Sequence, residues 1–435
     1  MNIQLDSEVG PLRQVIVHRP GLEVVRMTHA ELHELLFDDI LSQTVASREH
    51  GVLQDILRAG GASVVEILDL LELALRRADP EHVADLMDHV CDAAGVPEVA
   101  PFLAAWPADR LAAGLIAGVY WEELKGAPTT LSRLQAKLQN RFHMPLRPLP
   151  NLMFMRDACF SMFDRMVVGR MASGARAREP LLVAFALRHS EILGPDASFL
   201  FDEADWDRHP VFRSAEGGDT LVFSRRFIMI GCSERTTPQT IERLANEAFF
   251  PAFPDLQRVY AVIMPAQRSV MHLDTMLTQL DKDLFLGHAP FVNPGGLPMV
   301  RLGRGRAPEV VPHASVLDVL RDELGPQVKM APCGGHNRLH QDREQWTDGS
   351  NAVCLAPGKI ILYARNVRTI KVLAEEHGFH VTSLSPEMPG PERRAEIASG
   401  MQRHRTVFAF TGSELARARG GARCLTMPVH RDRLE

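Results

Sequence analysis

The sequence predicts an α/β protein in which a strand–turn–strand–helix–strand unit recurs and a helical segment is inserted. The two clearest copies of the unit occupy residues 220–264 and 352–384, each with a tight turn between its first two strands. Recurrence of one such unit is typical of a propeller-like or repeat architecture. The predicted strands are Thr220–Phe223, Phe227–Gly231, Val259–Met264, Ala352–Ala356, Ile360–Tyr363 and His380–Leu384, with helices beginning at Pro238 and Asn366.

The first 69 residues predict a strand, a helix and a second strand. Leu12–His18 is an apolar run that ends at an Arg-Pro-Gly turn, and Leu41–Ala59 has helical spacing and ends at two glycines. Ser63–Ile67 is the second strand. We expect this segment to join the repeated α/β units that follow residue 142.

The segment from about Leu70 to Asn140 is predicted to be helical throughout. Asp79 before Pro80 is a typical helix start, and Leu131, Leu134 and Leu138 fall on one helical face. We expect a helical bundle packed on itself. The predicted domains are therefore an α/β unit of residues 1–69 and 143–435 and an inserted α-helical bundle of residues 70–142.

Composition and charge exclude several classes of function. The 435 residues are 46% hydrophobic and 23% charged, with a net charge of −6, which does not suggest a nucleic-acid surface. No run of 18 apolar residues exists, so no membrane partner is expected, and the start does not resemble a secretory signal. The six cysteines are scattered without a CxxC pair, which favours reduced thiols in a cytoplasmic protein.

Cys424 is a candidate nucleophile. It follows a Gly-Gly turn and precedes Met427-Pro428, so we expect it on or beside a loop. Arg419 and Arg423 lie within five residues of it, and nearby cations favour the reactive thiolate. A buried structural cysteine would fit the position equally well.

A histidine and three carboxylates could complete a catalytic site around such a thiol. His272 and Asp274 are two residues apart and would face the same way in an extended segment, and Glu216 precedes two glycines. Together with Asp157 these groups could process a guanidinium, a planar cation with five donors that paired carboxylates can hold. The thiolate would attack its central carbon, and the histidine would move protons.

Two other classes of function remain open from the residues alone. Cys333, His336 and His340 have a spacing that could bind zinc, although a fourth ligand is not obvious. The protein could also be a catalytically silent binding protein. A protein that had lost catalysis would be expected to have lost at least one of the five candidate residues, which are Cys424, His272, Glu216, Asp157 and Asp274. All five are present here.

These motifs together resemble the arginine deiminase family of guanidino-group-modifying enzymes. The resemblance spans the chain apart from the helical insertion, and an insertion of this kind is characteristic of arginine deiminases within the superfamily. The matching segments are 7–10, 18–21, 36–40, 49–50, 150–157, 216–219, 231–236, 271–274, 343–351, 356–358 and 419–428.

The resemblance implies a five-bladed α/β propeller of pseudo-repeated ββαβ units that hydrolyses L-arginine to L-citrulline and ammonia. A different guanidino substrate, or amidino transfer, is the alternative on the same machinery. No cofactor and no metal are implied, and we expect a homo-oligomer. The implied roles are nucleophile for Cys424, general acid and base for His272, guanidinium binding for Asp157 and Asp274, support of His272 and the substrate for Glu216, carboxylate binding for Arg176 and Arg235, pocket lining for Asn151 and Phe154, and a mobile arginine at Arg419.

Among the departures from the usual pattern of the family, three are replacements of single residues. Met155, Ala158 and Ala364 replace residues that are usually a small residue, a proline and an aspartate, respectively. None of the three is a reacting group, so the departures bear on substrate choice and pocket shape.

Overall fold

The computed structural model describes residues 2–138, 144–193, 198–202, 205–206, 214–312 and 314–434. These residues form a mixed α/β fold with strands arranged in five separate sheets. The strands are β1 Leu12–Val17, β2 Ser63–Glu66, β3 Cys159–Met162, β4 Arg165–Val168, β5 Ser198–Phe201, β6 Thr220–Ser224, β7 Phe227–Cys232, β8 Arg258–Ile263, β9 Leu277–Gln279, β10 Leu284–Gly287, β11 Met299–Gly303, β12 Glu309–Val310, β13 Lys329–Pro332, β14 Val353–Ala356, β15 Lys359–Tyr363, β16 His380–Leu384, β17 Thr406–Phe410 and β18 Met427–Arg431.

All five sheets share one pattern, an antiparallel pair whose second strand is joined by a parallel strand. The pattern is β3-β4-β5, β6-β7-β8, β9-β10-β13, β14-β15-β17 and β18-β1-β2. The predicted repeated unit is thus confirmed, and most of its strand ends fall within one residue of the expected positions.

Ten of the eighteen strands that the described residues form were not predicted, and two of these ten change the topology of the predicted units. β17 lies between β15 and β16, so the strand predicted as the third of its unit is displaced to the sheet edge. β18 pairs antiparallel with β1, which brings residues 427–431 against residues 12–17. The sheet of the first 69 residues is therefore completed by a strand from more than four hundred positions away.

The helices begin close to where the sequence predicts them. The helix after β7 starts at Pro238, and Asn366 is the residue before the helix after β15, but Ile67 opens a helix instead of closing a strand. The α-helices are Leu22–Val25, Gln43–Ala59, Ile67–Arg77, Pro80–Ala93, Ala100–Ala104, Ala108–Ala117, Leu131–Leu138, Met155–Ala158, Arg178–His189, Pro238–Arg243, Phe250–Ala252, Ala289–Val292, Val316–Leu324, Arg338–Trp346, Val367–His377 and Gly390–Gln402.

The helical segment is packed except at its final helix. Leu86, Leu103 and Leu115 are buried in a core shared with the helix Arg178–His189 and with parts of the neighbouring sheets. The leucines predicted to form a packed face of the helix Leu131–Leu138 are instead 82%, 45% and 86% exposed. That part of the prediction is wrong, because helical spacing identifies a common face but not a surface to cover it. Residues 139–143, which span the predicted domain boundary, lie outside the described residues.

Two further findings bear on the class of protein. Within the described residues, no helix combines the length and apolar character needed to cross a lipid bilayer. All six cysteines are free, and five of them are buried. Cys91 lies in the helix Pro80–Ala93 and Cys354 in strand β14, and both are part of the core.

Candidate active site

The predicted catalytic residues occupy equivalent positions in different sheets. Asp157, Glu216 and Cys424 each lie two to four residues before the strand that opens a sheet pattern, namely β3, β6 and β18. His272 and Asp274 lie five and three residues before β9. Short helical turns place several of these residues, so five side chains that are far apart in sequence can converge.

Asp157 and Asp274 each present one carboxylate oxygen without a hydrogen-bond partner. The Oδ2 of Asp157 accepts from Arg176 Nη1 at 2.7 Å, and the Oδ2 of Asp274 accepts from Arg423 Nη1 at 2.8 Å. Both Oδ1 atoms are buried and unpaired. Leaving such an oxygen unpaired in the interior is costly, which makes this pair a prepared acceptor site for a cationic donor.

His272 and Glu216 form a buried ion pair beside this acceptor site. The His272 Nε2 lies 2.8 Å from Glu216 Oε2, and its Nδ1 lies 3.8 Å from Asp157 Oδ1. Burial alone lowers the pKa of His272, but Asp157, Glu216 and Asp219 outweigh it and raise that pKa to about 10. Burial raises the pKa of Glu216, whereas His272 and two arginines lower it to about 2. His272 is therefore protonated at neutral pH.

The glycine at position 218 is required by this arrangement. A Cβ atom there would lie 2.7 Å from His272 Nδ1 and 2.9 Å from Asp157 Oδ1. Any side chain would displace the imidazole or the carboxylate, so the Gly-Gly pair after Glu216 allows the two groups to meet.

Cys424 is buried, and its environment opposes ionisation in the free protein. Burial raises the pKa of the thiol well above its usual value, and the carboxylates of Asp274, Asp157 and Asp348 raise it further. The Sγ lies 3.7 Å from Asp274 Oδ2. The expectation that Arg419 and Arg423 favour the thiolate is wrong, because Arg423 is paired with Glu8 and Asp274, and Arg419 points to other partners.

Arg176 lies in the site but is saturated by protein acceptors. Its guanidinium donates to both oxygens of Glu179, to Asp157 Oδ2 and to the backbone oxygens of Asn151 and Phe154. In this arrangement it braces Asp157. Binding of a substrate carboxylate by Arg176 remains a prediction, and it would require some of these donors to change partners.

Arg235, Asn151 and Phe154 surround the same group of side chains. Arg235 Nη1 lies 3.7 Å from Glu216 Oε1 and retains some exposure, so it has more freedom to reach a ligand than Arg176 has. Asn151 donates to the carbonyl of Leu35 at 2.6 Å. A Cβ at Gly420 would lie 2.2 Å from the Phe154 ring, so the loop that precedes Cys424 packs directly on that ring.

Arg419 is held at the rim of the site. Its backbone has a left-handed conformation with φ of 66°, and its guanidinium carbon lies 3.4 Å from the centroid of the Trp346 ring. It donates to the Arg268 carbonyl and lies 3.7 Å from Asp38 Oδ2. The mobility expected of Arg419 remains a prediction.

Two buried supports of the site, the Glu8–Arg423 ion pair and the amide of Asn351, were not predicted from the sequence. Arg423 is among the largest fully buried side chains, and both oxygens of Glu8 accept from it at 3.0 and 3.1 Å. Asn351, in the matching segment 343–351, forms hydrogen bonds with the backbone of both Cys424 and Asp274. The motif around Glu8 was noted in the sequence, but no local signal shows that its partner is residue 423.

Asp157, Glu216 and His272 are also close enough to hold a metal ion, with candidate ligand atoms within 4.8 Å of one another. Protonated His272 and Arg176, whose Nη1 lies 2.7 and 3.8 Å from the two carboxylates, already supply positive charge to this group. Cys333, His336 and His340 are not brought together as ligands, because Cys333 is buried while His336 is exposed and pairs with Glu376. The zinc alternative therefore has no support at its proposed position.

A thiol, a protonated imidazole and two half-paired carboxylates define an enzyme that acts on a cationic amidine or guanidine. Comparison with known proteins agrees with this class. The family description "Arginine deiminase" matches residues 33–431. The chain therefore belongs to the arginine deiminase family, hydrolases of carbon–nitrogen bonds in linear amidines, and the expected hydrolysis of L-arginine to L-citrulline and ammonia is confirmed at the level of the family.

Individual relatives support this membership. The chain is 32% identical to the arginine deiminases of Staphylococcus haemolyticus and of Lactococcus lactis subsp. cremoris, and the alignments cover 99% of this chain and 98% and 99% of those proteins. Among solved structures, it resembles an amidinotransferase of saxitoxin biosynthesis from Microseira wollei. That match has a TM-score of 0.52 and 14% identity and covers 99% of this chain and 98% of the other, which shows a shared fold.

Proposed function

We propose that this protein hydrolyses free L-arginine by covalent catalysis at Cys424, with Asp157 and Asp274 holding the guanidinium. One observation carries the proposal. The Oδ1 atoms of Asp157 and Asp274 are buried and have no hydrogen-bond partner, whereas the Oδ2 atoms of both carboxylates already accept from arginines. A planar cation with several N–H donors satisfies both oxygens at once.

Binding of the substrate activates the nucleophile. The carboxylates that raise the pKa of the Cys424 thiol are the ones that receive the guanidinium, so the bound cation offsets their effect and favours the thiolate. The thiol releases its proton to solvent as the guanidinium binds, and the Sγ thiolate attacks the central guanidinium carbon. The attack forms a carbon–sulfur bond and a tetrahedral intermediate.

His272 moves the protons in both halves of the reaction. Held between Asp157 and Glu216, it donates its proton to the departing nitrogen, the carbon–nitrogen bond breaks, and ammonia leaves a covalent amidino thioether on Cys424. The now neutral imidazole takes a proton from water, and the hydroxide attacks the same carbon. The new hydroxyl group gives its proton to solvent as the carbon–sulfur bond breaks, which releases L-citrulline and restores the thiolate.

The amino-acid end of the substrate requires its own recognition. We assign binding of its carboxylate to Arg176 and Arg235, with Asn151 and Phe154 lining the pocket and Arg419 moving in from the rim. Arg235 is supported by its residual exposure beside Glu216. Arginine suits this task because its guanidinium binds a carboxylate in a rigid, two-pronged way.

The proposal extends to architecture and setting. We infer that the five sheets are the blades of a five-bladed propeller, formed by residues 1–69 and 143–435, into which the helical bundle of residues 70–142 is inserted. The recurrence of one strand pattern in all five sheets supports this. We also infer a cytoplasmic homo-oligomer, consistent with the free cysteines and tested by light scattering of the purified protein.

The function is tested by incubating purified protein with L-arginine and measuring citrulline, ornithine and ammonia. Citrulline and ammonia should appear in equal amounts, and Cys424→Ser should abolish turnover while leaving the circular dichroism spectrum unchanged. Asp157→Asn and Asp274→Asn should each raise KM and lower kcat. A Cys424→Ser protein that keeps a tenth of the wild-type rate, or ornithine as the main product, would contradict the proposal.

A further inference from the structure

Asn351 occupies in its sheet the position that the reacting groups occupy in the other four. It lies two residues before β14, as Asp157 lies two residues before β3 and Cys424 three before β18. The sheet of β14 to β17 supplies none of the acid, base or nucleophile residues described above. Its residue at the equivalent place is a fully buried amide.

The amide of Asn351 is bonded on both sides to the machinery of the reaction. Its Oδ1 accepts from the backbone N–H of Arg423 at 3.0 Å and of Cys424 at 3.1 Å. Its Nδ2 donates to the backbone carbonyl of Asp274 at 3.1 Å. The two donors on one side and the acceptor on the other fix which end of the amide is oxygen.

We propose that Asn351 is a positioning residue that sets the separation between the Cys424 thiol and the Asp274 carboxylate. These two groups precede strands of different sheets, and Cys424 Sγ lies 3.7 Å from Asp274 Oδ2. The side chain of Asn351 is hydrogen-bonded to the backbone of both residues and so links them. Reaction geometry of this kind is sensitive, since a displacement of about 1 Å can cost 10²-fold in rate. The inference rests on the proposed role of Cys424 as nucleophile.

The chemistry of the position admits few other side chains. Aspartate has the same shape but lacks the donor for the Asp274 carbonyl, and it would add negative charge beside a thiol that must ionise. Glutamine is one methylene longer, and a Cβ at neighbouring Gly421 would already lie 2.6 Å from the Cβ and Oδ1 of Asn351. Alanine offers neither a donor nor an acceptor.

The test uses Asn351→Asp in the full chain, with two readouts. Turnover of L-arginine should show kcat lowered by about 10²-fold or more and KM changed by less than about threefold. Alkylation of Cys424 by iodoacetamide without substrate, followed by mass spectrometry across pH, should move its midpoint upward. The alkylation readout does not depend on the identity of the substrate, so failure of the proposed function and failure of this inference are distinguishable.

Asn366→Asp is the matched control. Asn366 is also fully buried, and its amide accepts from the Thr347 hydroxyl and donates to the Thr347 carbonyl at the start of the helix Val367–His377. It has the same chemistry without a contact to Cys424 or Asp274. Its variant should share any loss of thermal stability but leave kcat and the alkylation midpoint near the wild-type values.

Gly421→Ala provides a second, independent perturbation. It keeps the amide of Asn351 but pushes against it, so it should lower kcat and alter the alkylation profile as well. The inference is overturned if folded Asn351→Asp protein has a kcat within threefold of wild type and an unchanged alkylation midpoint. It is equally overturned if neither variant accumulates as folded protein, because Asn351 would then serve the fold as a whole.

Discussion

The Cys424 thiol faces a carboxylate oxygen of Asp274 at 3.7 Å, a neighbour that opposes its ionisation in the free protein. Asp274→Asn should therefore lower the pKa of the thiol and speed its alkylation by iodoacetamide at pH 7 to 8, although turnover of arginine falls. The comparison is the pH midpoint of alkylation in wild type and variant. Asp281→Asn is the control, since that carboxylate pairs with Arg405 and is not among the charges acting on Cys424. A midpoint at or above that of wild type would show that Asp274 does not restrain the thiol.

The effects of Arg235→Ala and Arg176→Ala on kcat/KM are expected to differ between L-arginine, which has a carboxylate, and agmatine, which lacks one. Arg235→Ala should lower kcat/KM for L-arginine by about 10- to 100-fold, because a hydrogen bond to a charged group contributes about 1.5–3 kcal/mol. The kcat/KM for agmatine should stay within about threefold of the wild-type value. Arg176→Ala should lower both values, because Arg176 also braces Asp157. Steady-state kinetics with the two substrates decide this. An Arg235→Ala protein equally impaired on both would remove Arg235 from carboxylate recognition.

At the scale of residues, the sequence predicted the side chains that converge in the candidate site but not the groups that orient them. Cys424, His272, Glu216, Asp157 and Asp274 carry unusual local motifs, and the structure brings them together. Their supports depend on contacts that local patterns cannot show, such as the pairing of Glu8 with a partner 415 positions away. The ionisation state of the Cys424 thiol was predicted wrongly for the same reason. Two arginines are near it in sequence, but the sequence does not show with which groups their side chains pair.

The helix Leu131–Leu138 exposes the leucines that the sequence would place in a packed face. Leu131→Gln and Leu138→Gln should each change the free energy of unfolding by less than about 0.5 kcal/mol, as is usual for surface positions. Leu115→Ala, in the buried core of the same segment, should cost about 2–5 kcal/mol. Urea denaturation of the three variants tests this. A loss of 2 kcal/mol or more at Leu131 would indicate that the leucine face is covered in solution.

Elements with a repeated local pattern were predictable, and elements defined by a distant partner were not. The segments 220–264 and 352–384 show alternating strands, turns and helix starts, so their bounds agree with the structure to within about one residue. β18 contains Pro428, which argues against a strand in the middle of a sheet. The structure tolerates this proline because β18 lies at an edge of the sheet β18-β1-β2.

Glu8 joins the segment before β1 to the loop before β18 through Arg423. Burial raises the pKa of Glu8, but Arg423 and Arg156 outweigh it and lower that pKa to about 2 from 4.5. The ionised carboxylate therefore stabilises the fold above pH 4.5, and the contribution is lost as pH falls toward 2. Glu8→Gln should be less stable than wild type by about 3–5 kcal/mol at pH 7, with a smaller difference at pH 3. Denaturant titrations at both pH values measure this, and a difference that does not vary with pH would contradict the role of the charge.

For the molecule as a whole, the sequence predicted the class of fold and the repeated unit, but not the order of the strands in every sheet. Local spacing indicates strands and helices, whereas the order of strands in a sheet depends on which distant segments pair. The insertion of β17 between β15 and β16 is one such case, because nothing near Thr406–Phe410 specifies its two neighbours. The prediction of a five-bladed propeller came from the resemblance to a family and not from the pattern of residues.

The pairing of β1 with β18 also sets the timing of assembly during synthesis. More than four hundred residues separate the two strands, and at a synthesis rate of about 5–20 residues per second β1 waits roughly 20–80 s for its antiparallel neighbour. β2 covers one side of β1 early, but the other side remains an open edge able to attract foreign strands. Cys424 emerges just ahead of the strand that closes this edge, so the growing chain acquires this thiol only as the open edge of β1 is about to be covered.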